Sequence, residues 1–350
     1  MREYVEFRIP ETYAAEYLKT DQGVVLGAEH PATAVRKLAV LAGDPLYNRI
    51  GELQSEFRER RGKCFFYGWN IRYVYTDEEI HRAELFHLPT TATFEPPGEM
   101  CGTDYDDSTA CPLCGAGRRQ VSQLVLDLRK VPKRRPIART IADEWIVSQD
   151  LAEKLVAAQF TGFELRQVRH KARYQEDPIR LSDYPSGRKL LRLGESAGSP
   201  HPSWQFYIWL NQHQQSELWQ RAQNERRLAE EWRRVSVPRP MAPCYQLSVT
   251  SPPVRLVPPT ITGIEPFEED LAGKYRCPVG HTLGLNLLSE VWLDRATWDG
   301  SDFVQTEQCI GHRMGILSPS PLLLISSRVR QMLIDEHVKG PVIEVGHLVP

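Results

Sequence analysis

The sequence predicts an α+β fold of two related lobes, each a small mixed sheet covered by helices, with a zinc-bearing loop in the first. Three observations carry this. The length suits roughly two domains of ~150 residues each. A strand–Ser–helix–Gly–strand pattern occurs twice at constant spacing. Three of the seven cysteines fall in Cys101–Cys114, which closes as Cys111-Pro-Leu-Cys114-Gly115.

Composition bounds the function classes. The chain has 350 residues, 41% hydrophobic and 25% charged, with a formal net charge of -2. That is a soluble globular balance, and it argues against general polyanion binding while leaving a local basic patch open. No run approaches the ~18 apolar residues needed to cross a bilayer. Met1–Phe7 carries no apolar signal core. The 26 prolines and eight tryptophans imply irregular connections between packed elements. An odd number of cysteines in ligand-like spacing points to a reducing cytoplasm.

Taken in order, residues 1–62 read as a mostly helical segment. Tyr4–Ile9 alternates as a strand ended by Pro10. Ala32–Leu41 reads as helical, and a second helix starts at Asp44-Pro45, runs through Arg61 and stops at Gly62. Residues 63–170 form the zinc-bearing lobe. Cys64–Tyr75 is dense in aromatics and suits one or two strands. Thr76-Asp-Glu-Glu79 caps a helix expected through Phe86. Val121–Leu128 is a strand candidate, as is Trp145–Val147, which Ser148 ends before an amphipathic helix with Leu151, Leu155 and Val156. Gly162 closes that helix, and Phe163–Val168 alternates again. Residues 171–235 hold a polar connection, an apolar strand at Trp204–Leu210 and a long charged helix from Ser216 to Arg234. Residues 236–350 form the second lobe, whose proline-rich start implies short or edge strands.

The internal echo is explicit. Ile146-Val-Ser148, Leu151, Leu155, Phe160 and Gly162 recur 178 residues later as Leu324-Ile-Ser326, Val329, Leu333, Val338 and Gly340. Each copy offers a strand, a Ser N-cap, one apolar helix face and a Gly C-cap. Upstream, Cys111-Pro-Leu-Cys114-Gly has a weaker counterpart in Cys277-Pro-Val-Gly-His281. Such a pattern is a common supersecondary unit; the shared order of turn, strand and capped helix favours duplication.

Two thiolates on one tight Cys-Pro-x-Cys-Gly loop suit tetrahedral zinc, and a glycine lets the backbone turn toward the sulfurs. Gly115-Ala-Gly117 is a poor helix start, which disfavours a redox dithiol. The expected ligands are Cys101, Cys111 and Cys114, with His87 favoured as the fourth over Cys64 and His170. Cys277, His281, Cys309 and His312 offer a separate Cys2His2 set in the second lobe, although ordinary packed Cys and His residues account for them better. The turn Arg129–Arg135 carries five basic residues, but no aromatic is interleaved with them for base stacking. Neither a phosphate loop nor a catalytic elbow or metalloprotease helix is present.

Ala83-Glu-Leu-Phe-His-Leu88, Phe94-Glu-Pro96, Cys101-Gly-Thr103 with Tyr105-Asp106, Cys111-Pro-x-Cys114-Gly-Ala116 and the Ile137–Glu144 run resemble a group of uncharacterised bacterial proteins common in myxobacteria. Pro321-Leu-Leu-Leu-Ile-Ser326 and its following helix are similar to the end of the double-CxxCG proteins and related immunity proteins of polymorphic toxin systems. The resemblance implies a non-enzymatic protein that binds and neutralises a cognate toxin. The expectation is therefore a zinc-stabilised protein-docking chain with no membrane partner. A nucleic-acid-associated role, as in phage defence, and an enzyme whose site is assembled from distant residues are the alternatives.

Overall fold

Alternation of apolar and polar side chains builds the first sheet. In the computed structural model, which describes residues 1–27, 33–90, 92–171 and 242–350, β1 (Arg2–Pro10) pairs antiparallel with β3 (Val35–Leu41) and β4 (Gly68–Val74), and β2 (Val24–Leu26) extends the sheet beyond β3. Helix α1 (Glu11–Tyr17) follows Pro10. Val35–Leu41 is a strand where a helix was expected. Every second residue, Arg36, Leu38 and Val40, is buried, the period-two pattern of a half-buried strand. Arg36 is tolerated there because Glu11 accepts two of its guanidinium hydrogens and Lys19 O accepts another at 2.8 Å. The segment 1–62 is thus a sheet with helices against it, not mostly helical.

Helix α2 (Pro45–Arg61) has the expected ends: the Asp44 carboxylate accepts from Leu46 N at 2.8 Å, and Gly62 closes it at φ 57°. It buries Ile50, Leu53 and Phe57 against Val5, Phe7 and Ile9. Helix α3 (Asp77–Arg82) carries a Thr76/Glu79 capping box but stops short of Phe86. Leu85, Phe86 and His87 are all buried as strand β5 (Leu85–His87), paired on both sides. Tertiary pairing overrides the helical reading there.

The cysteine-bearing half contains β6 (Thr93–Phe94), the one-turn α4 (Gly98–Cys101), the β7 (Tyr105–Asp106) and β8 (Arg119–Gln120) hairpin, and β9 (Val125–Leu126). It continues through β10 (Ile137–Thr140), β11 (Trp145–Ser148), α5 (Gln149–Ala157), β12 (Phe163–Gln167) and β13 (Arg169–His170). The strand expected at Val121–Leu128 is limited to β9. The connection after 171, the strand at 204–210 and the helix at 216–234 lie outside the described residues. The last part holds β14 (Cys244–Val249), β15 (Thr262–Glu265), β16 (Glu268–Glu269), β17 (Thr282–Gly284), β18 (Asn286–Leu287), β19 (Val291–Asp294), β20 (Phe303–Ile310), β21 (Ser320–Ser326), α6 (Ser327–Asp335) and β22 (Glu344–Val349).

Two sheets dominate, with orders β12-β14-β11-β10-β6 and β17-β20-β21-β5-β22-β19. They share one wiring. β10/β11 and β20/β21 are antiparallel hairpin pairs. β14 lies between β11 and β12, and β5 lies between β21 and β22, antiparallel throughout. The register agrees residue by residue: Gln246 faces Ile146 and Arg166, while His87 faces Leu324 and Glu344. Phe94 beside Thr140 and Val254 beside Thr306 are matching parallel contacts. Both helices are capped by the expected serines, with Ser148 Oγ accepting from Leu151 N and Ser326 Oγ from Val329 N, each at 3.3 Å. Even the left-handed residues match: Gln159 and His337, then Gly162 and Gly340.

One feature departs from two self-contained lobes. The middle strand of each sheet comes from the other part of the chain: β5 precedes the cysteine segment but sits in the C-terminal sheet, and β14 does the reverse. The boundaries expected at 63–170 and 236–350 therefore do not separate the sheets, and Met1–Lys171 with Pro243–Pro350 form one unit. The shared core contains equivalent positions from both parts: Ile137 and Phe303, Val147 and Ile325, Leu151 and Val329, Leu155 and Leu333, Leu247 and Leu88. Two smaller cores cover the outer faces, Phe94, Ala138, Ile146 and Cys244 on one, Val254, Val304, Leu324 and Leu85 on the other. At about 1.5–3 kcal/mol per buried large aliphatic side chain, the shared core outweighs the exposed ion pairs as the source of cohesion.

Candidate metal centre

Two short turns build the site. In the first, Cys111 N donates to Ala116 O at 2.7 Å and Gly115 N donates to Cys111 O at 2.8 Å. Gly115 sits at φ 80°, and a Cβ there would lie 2.9 Å from Arg313 Cβ, so both conformation and space require glycine. In the second, Cys277 N donates to Thr282 O at 3.1 Å and Gly280 N to Cys277 O at 2.9 Å. The same 111-to-116 and 277-to-282 closure makes the turns equivalents. Prolines at 112 and 278 follow each leading cysteine, where a fixed φ favours the turn.

The turns face each other. Cys111 Sγ lies 3.9 Å from Cys277 Sγ, and Cys277 Sγ lies 3.8 Å from His281 Nδ1. One donor atom each from Cys111, Cys114, Cys277 and His281 falls within 4.8 Å of all the others. These four residues can hold a metal ion. Cys111 and Cys277 are buried, Cys114 is half-buried and His281 is exposed.

The electrostatics favour a cation. Backbone amides of Cys114 and Leu113 pull the Cys111 thiol down to about 6, and Ala116 N approaches Cys114 Sγ at 3.5 Å. The Cys114 thiol is pushed up to about 11 by burial and by the neighbouring sulfurs of Cys277 and Cys111. A dication held here would favour the thiolate forms of its sulfur ligands.

The ligand set differs from the expected one. Cys111 and Cys114 are brought together, but Cys101 and His87 lie outside the group among the described residues. Cys101 is buried at the end of α4, a turn fixed from below by Glu144, whose carboxylate accepts Gly98 N at 2.9 Å. His87 is buried in β5 with its Nδ1 3.0 Å from Glu344 Oε2. The other fourth-ligand candidates are elsewhere: Cys64 is exposed, and His170 Nδ1 accepts from Leu128 N at 3.2 Å. Cys277 and His281 complete the first turn instead of founding a separate set. Cys309 N donates to His281 O at 2.8 Å, yet its sulfur is not in the group, and His312 lies against the Tyr275 ring. The echo held the missing signal: two half-motifs of two donor residues each come together as one group of four.

A cleft of 1210 Å³ opens beside the turns, bordered by Cys111, His281, Trp145 and Gln246. Glu144 at its wall is buried, and burial raises its carboxyl. Tyr105 and Thr140 donate to it along with Gly98 N. Through these bonds Glu144 anchors the α4 turn.

No helix among the described residues is long and apolar enough to cross a membrane. Comparison of the chain with models of known protein families, with curated proteins and with solved structures gave no match.

Proposed function

We propose that this chain is a non-enzymatic binding protein held in shape by one structural zinc ion, and that it docks and neutralises a cognate protein toxin. The observation that carries the reading is the donor set, three sulfurs and one imidazole nitrogen drawn in pairs from two turns 166 residues apart. Bonds of about 2.3 Å to sulfur and 2.0–2.1 Å to nitrogen put tetrahedral neighbours about 3.5–3.8 Å apart. The 3.9 and 3.8 Å separations agree with zinc in that geometry. Four protein ligands close the shell, which suits a structural ion and leaves no open position for a substrate.

The matched wiring of the two sheets supports a duplicated ancestry in which each copy kept half of the ligand set and exchanged one strand. Zinc then fastens the copies at the point where their turns meet. The toxin-neutralising part rests on the resemblance to immunity proteins. Cytoplasmic location follows from the same reading, since thiolate ligands persist under reducing conditions.

Elemental analysis of the purified chain is expected to give about one zinc per molecule; a metal-free, fully folded chain would end the zinc reading. Neutralisation is tested separately. Genes adjoining this one in its native genome are expressed with and without it, and one of them is expected to be toxic only in its absence. No rescue of any toxic neighbour would leave the scaffold and remove the toxin.

A further inference from the structure

The turn between β9 and β10 and the strand β13 bring two basic runs together. Arg129–Arg135 holds five basic residues, and Arg169-His-Lys171 follows the buried Val168. β9 and β13 pair in parallel, with Arg169 beside Val125 and His170 beside Leu126. Leu128 N donates to His170 Nδ1 at 3.2 Å and Lys171 N to Leu126 O at 3.0 Å, so β13 ends against the start of the turn. Backbone bonds from Lys130 N to Asp127 O at 2.8 Å and from Arg135 N to Pro132 O at 3.1 Å fold the turn itself. Leu124, Val125 and Leu126 are buried beneath, while Lys133, Arg134, Arg135, Arg169 and Lys171 are exposed.

The chain does not neutralise these cations. Asp127 is the one carboxylate in 124–137 and 168–171, and it is buried with Arg129 Nε donating to it at 2.7 Å. Among the described residues no carboxylate pairs with Lys133, Arg134, Arg135, Arg169 or Lys171. The arginines at the cleft differ, for Arg118, Arg139 and Arg166 each hold a carboxylate. Five unpaired cations therefore gather in a chain whose net charge is -2. An outside polyanion relieves their mutual repulsion and gives up its own counterions in doing so.

The surroundings select among polyanions. A protein partner binds chiefly through aromatic or aliphatic anchors, and none of the large apolar side chains exposed on the described chain lies in 124–137 or 168–171. A single strand is held by stacking its bases on aromatic rings, and these two runs contain no Phe, Tyr or Trp. A duplex needs neither, because its phosphates alone supply sequence-independent affinity. We propose that the Arg129–Arg135 turn and Arg169–Lys171 together bind the phosphate backbone of a nucleic-acid duplex without reading its sequence. This goes beyond the toxin-docking reading and depends on neither the toxin nor the metal.

The probe is a labelled 30-base-pair duplex of mixed sequence, made as DNA and as RNA, titrated with the full chain. Binding of at least one duplex is expected at about 1 µM or tighter in 50 mM NaCl. Between 50 and 200 mM NaCl the affinity is expected to fall about 60- to 500-fold, the loss for three to five phosphate contacts. Lys133→Ala/Arg134→Ala and Arg169→Ala/Lys171→Ala are each expected to weaken binding about tenfold or more and to lower the salt slope by about 2. All four side chains are exposed, so both variants are expected to keep the parent melting temperature, which is measured alongside. Arg60→Ala/Lys63→Ala, exposed cations at the end of α2, is expected to bind as the parent does. No binding of either duplex in 50 mM NaCl would overturn the proposal, as would parent-like binding by both folded variants or an equal loss in the α2 control. Tighter binding of a single-stranded 30-mer, of poly-L-glutamate or of phosphatidylserine vesicles than of duplex would overturn it in favour of that partner. None of these results bears on the zinc content or on rescue from a toxic neighbour, which stand on their own measurements.

Discussion

The two turns that meet at the candidate metal centre are made alike and end differently. Cys111-Pro-Leu-Cys114-Gly supplies two sulfurs, whereas Cys277-Pro-Val-Gly-His281 supplies one sulfur and one imidazole. Within turns of equal length, the second donor sits one position later in the second turn, at His281, directly after Gly280 at φ 88°. The middle strands diverge in the same manner. Gln246 of β14 bonds Gln120 at the cleft, while His87 of β5, at the matching register position, pairs with Glu344 in a buried setting. One sheet has an open polar margin there, and the other is closed. The difference teaches that positions equivalent in the wiring carry different chemistry.

Breaking either turn should reveal whether they share one ion, and this carries the largest expected effect. Cys111→Ser and Cys277→Ser are each expected to lose the whole metal content. The stability lost is expected to be a fraction of the ~10–16 kcal/mol that zinc contributes in small finger peptides, because a large apolar core remains. Zinc content and melting temperature check it. If one substitution spared the metal, the ions would be separate and the pairing of turns wrong.

How much of this was legible in the sequence depends on the range of the interaction. The α2 helix, its Asp44 and Gly62 ends, the β11–α5 and β21–α6 units and both serine caps were readable, because caps and apolar period act within a few residues. Val35–Leu41 is hard to read as a strand although it alternates, because Arg36 takes a core position that only its pairing with Glu11 makes tolerable. The role of β5 was not readable: three residues become a central strand only because β21 and β22, more than two hundred residues away, flank them. The donor group is illegible for the same reason: Cys277 lies far along the chain from Cys111 yet joins it, whereas Cys101, close in sequence, lies outside the group.

A second comparison lies in the shared core, where Leu155 and Leu333 hold equivalent places, each at 4% exposure or less. Leu155→Ala and Leu333→Ala are each expected to cost about 2–5 kcal/mol, the range for emptying a packed leucine site. Denaturant unfolding should give one cooperative transition for both variants, since both residues belong to one core. Separate transitions for the two would mean that the two sheets unfold independently even though each takes its middle strand from the other part of the chain.

The smallest effect separates the two serine caps. Ser148 Oγ accepts Leu151 N at 3.3 Å, and its loss in Ser148→Ala is expected to cost about 0.5–2 kcal/mol, as for other N-caps. Ser326 makes the same bond but also donates to Asp302 Oδ1 at 2.7 Å. Asp302 is buried at 2% exposure and otherwise relies on Arg328, at 3.1 Å, and on the amide and hydroxyl of Thr161, at 3.0 and 3.3 Å. Ser326→Ala removes a cap and one donor to a buried carboxylate, and under-satisfied buried groups are costly. It should therefore destabilise more than Ser148→Ala, by about 1 kcal/mol or more. The double variant Ser326→Ala/Asp302→Asn should recover part of that excess, because a neutral amide needs fewer donors than a carboxylate. Equal losses at the two serines would show that Asp302 draws enough from Thr161 and Arg328, and that the caps are energetically as well as structurally equivalent.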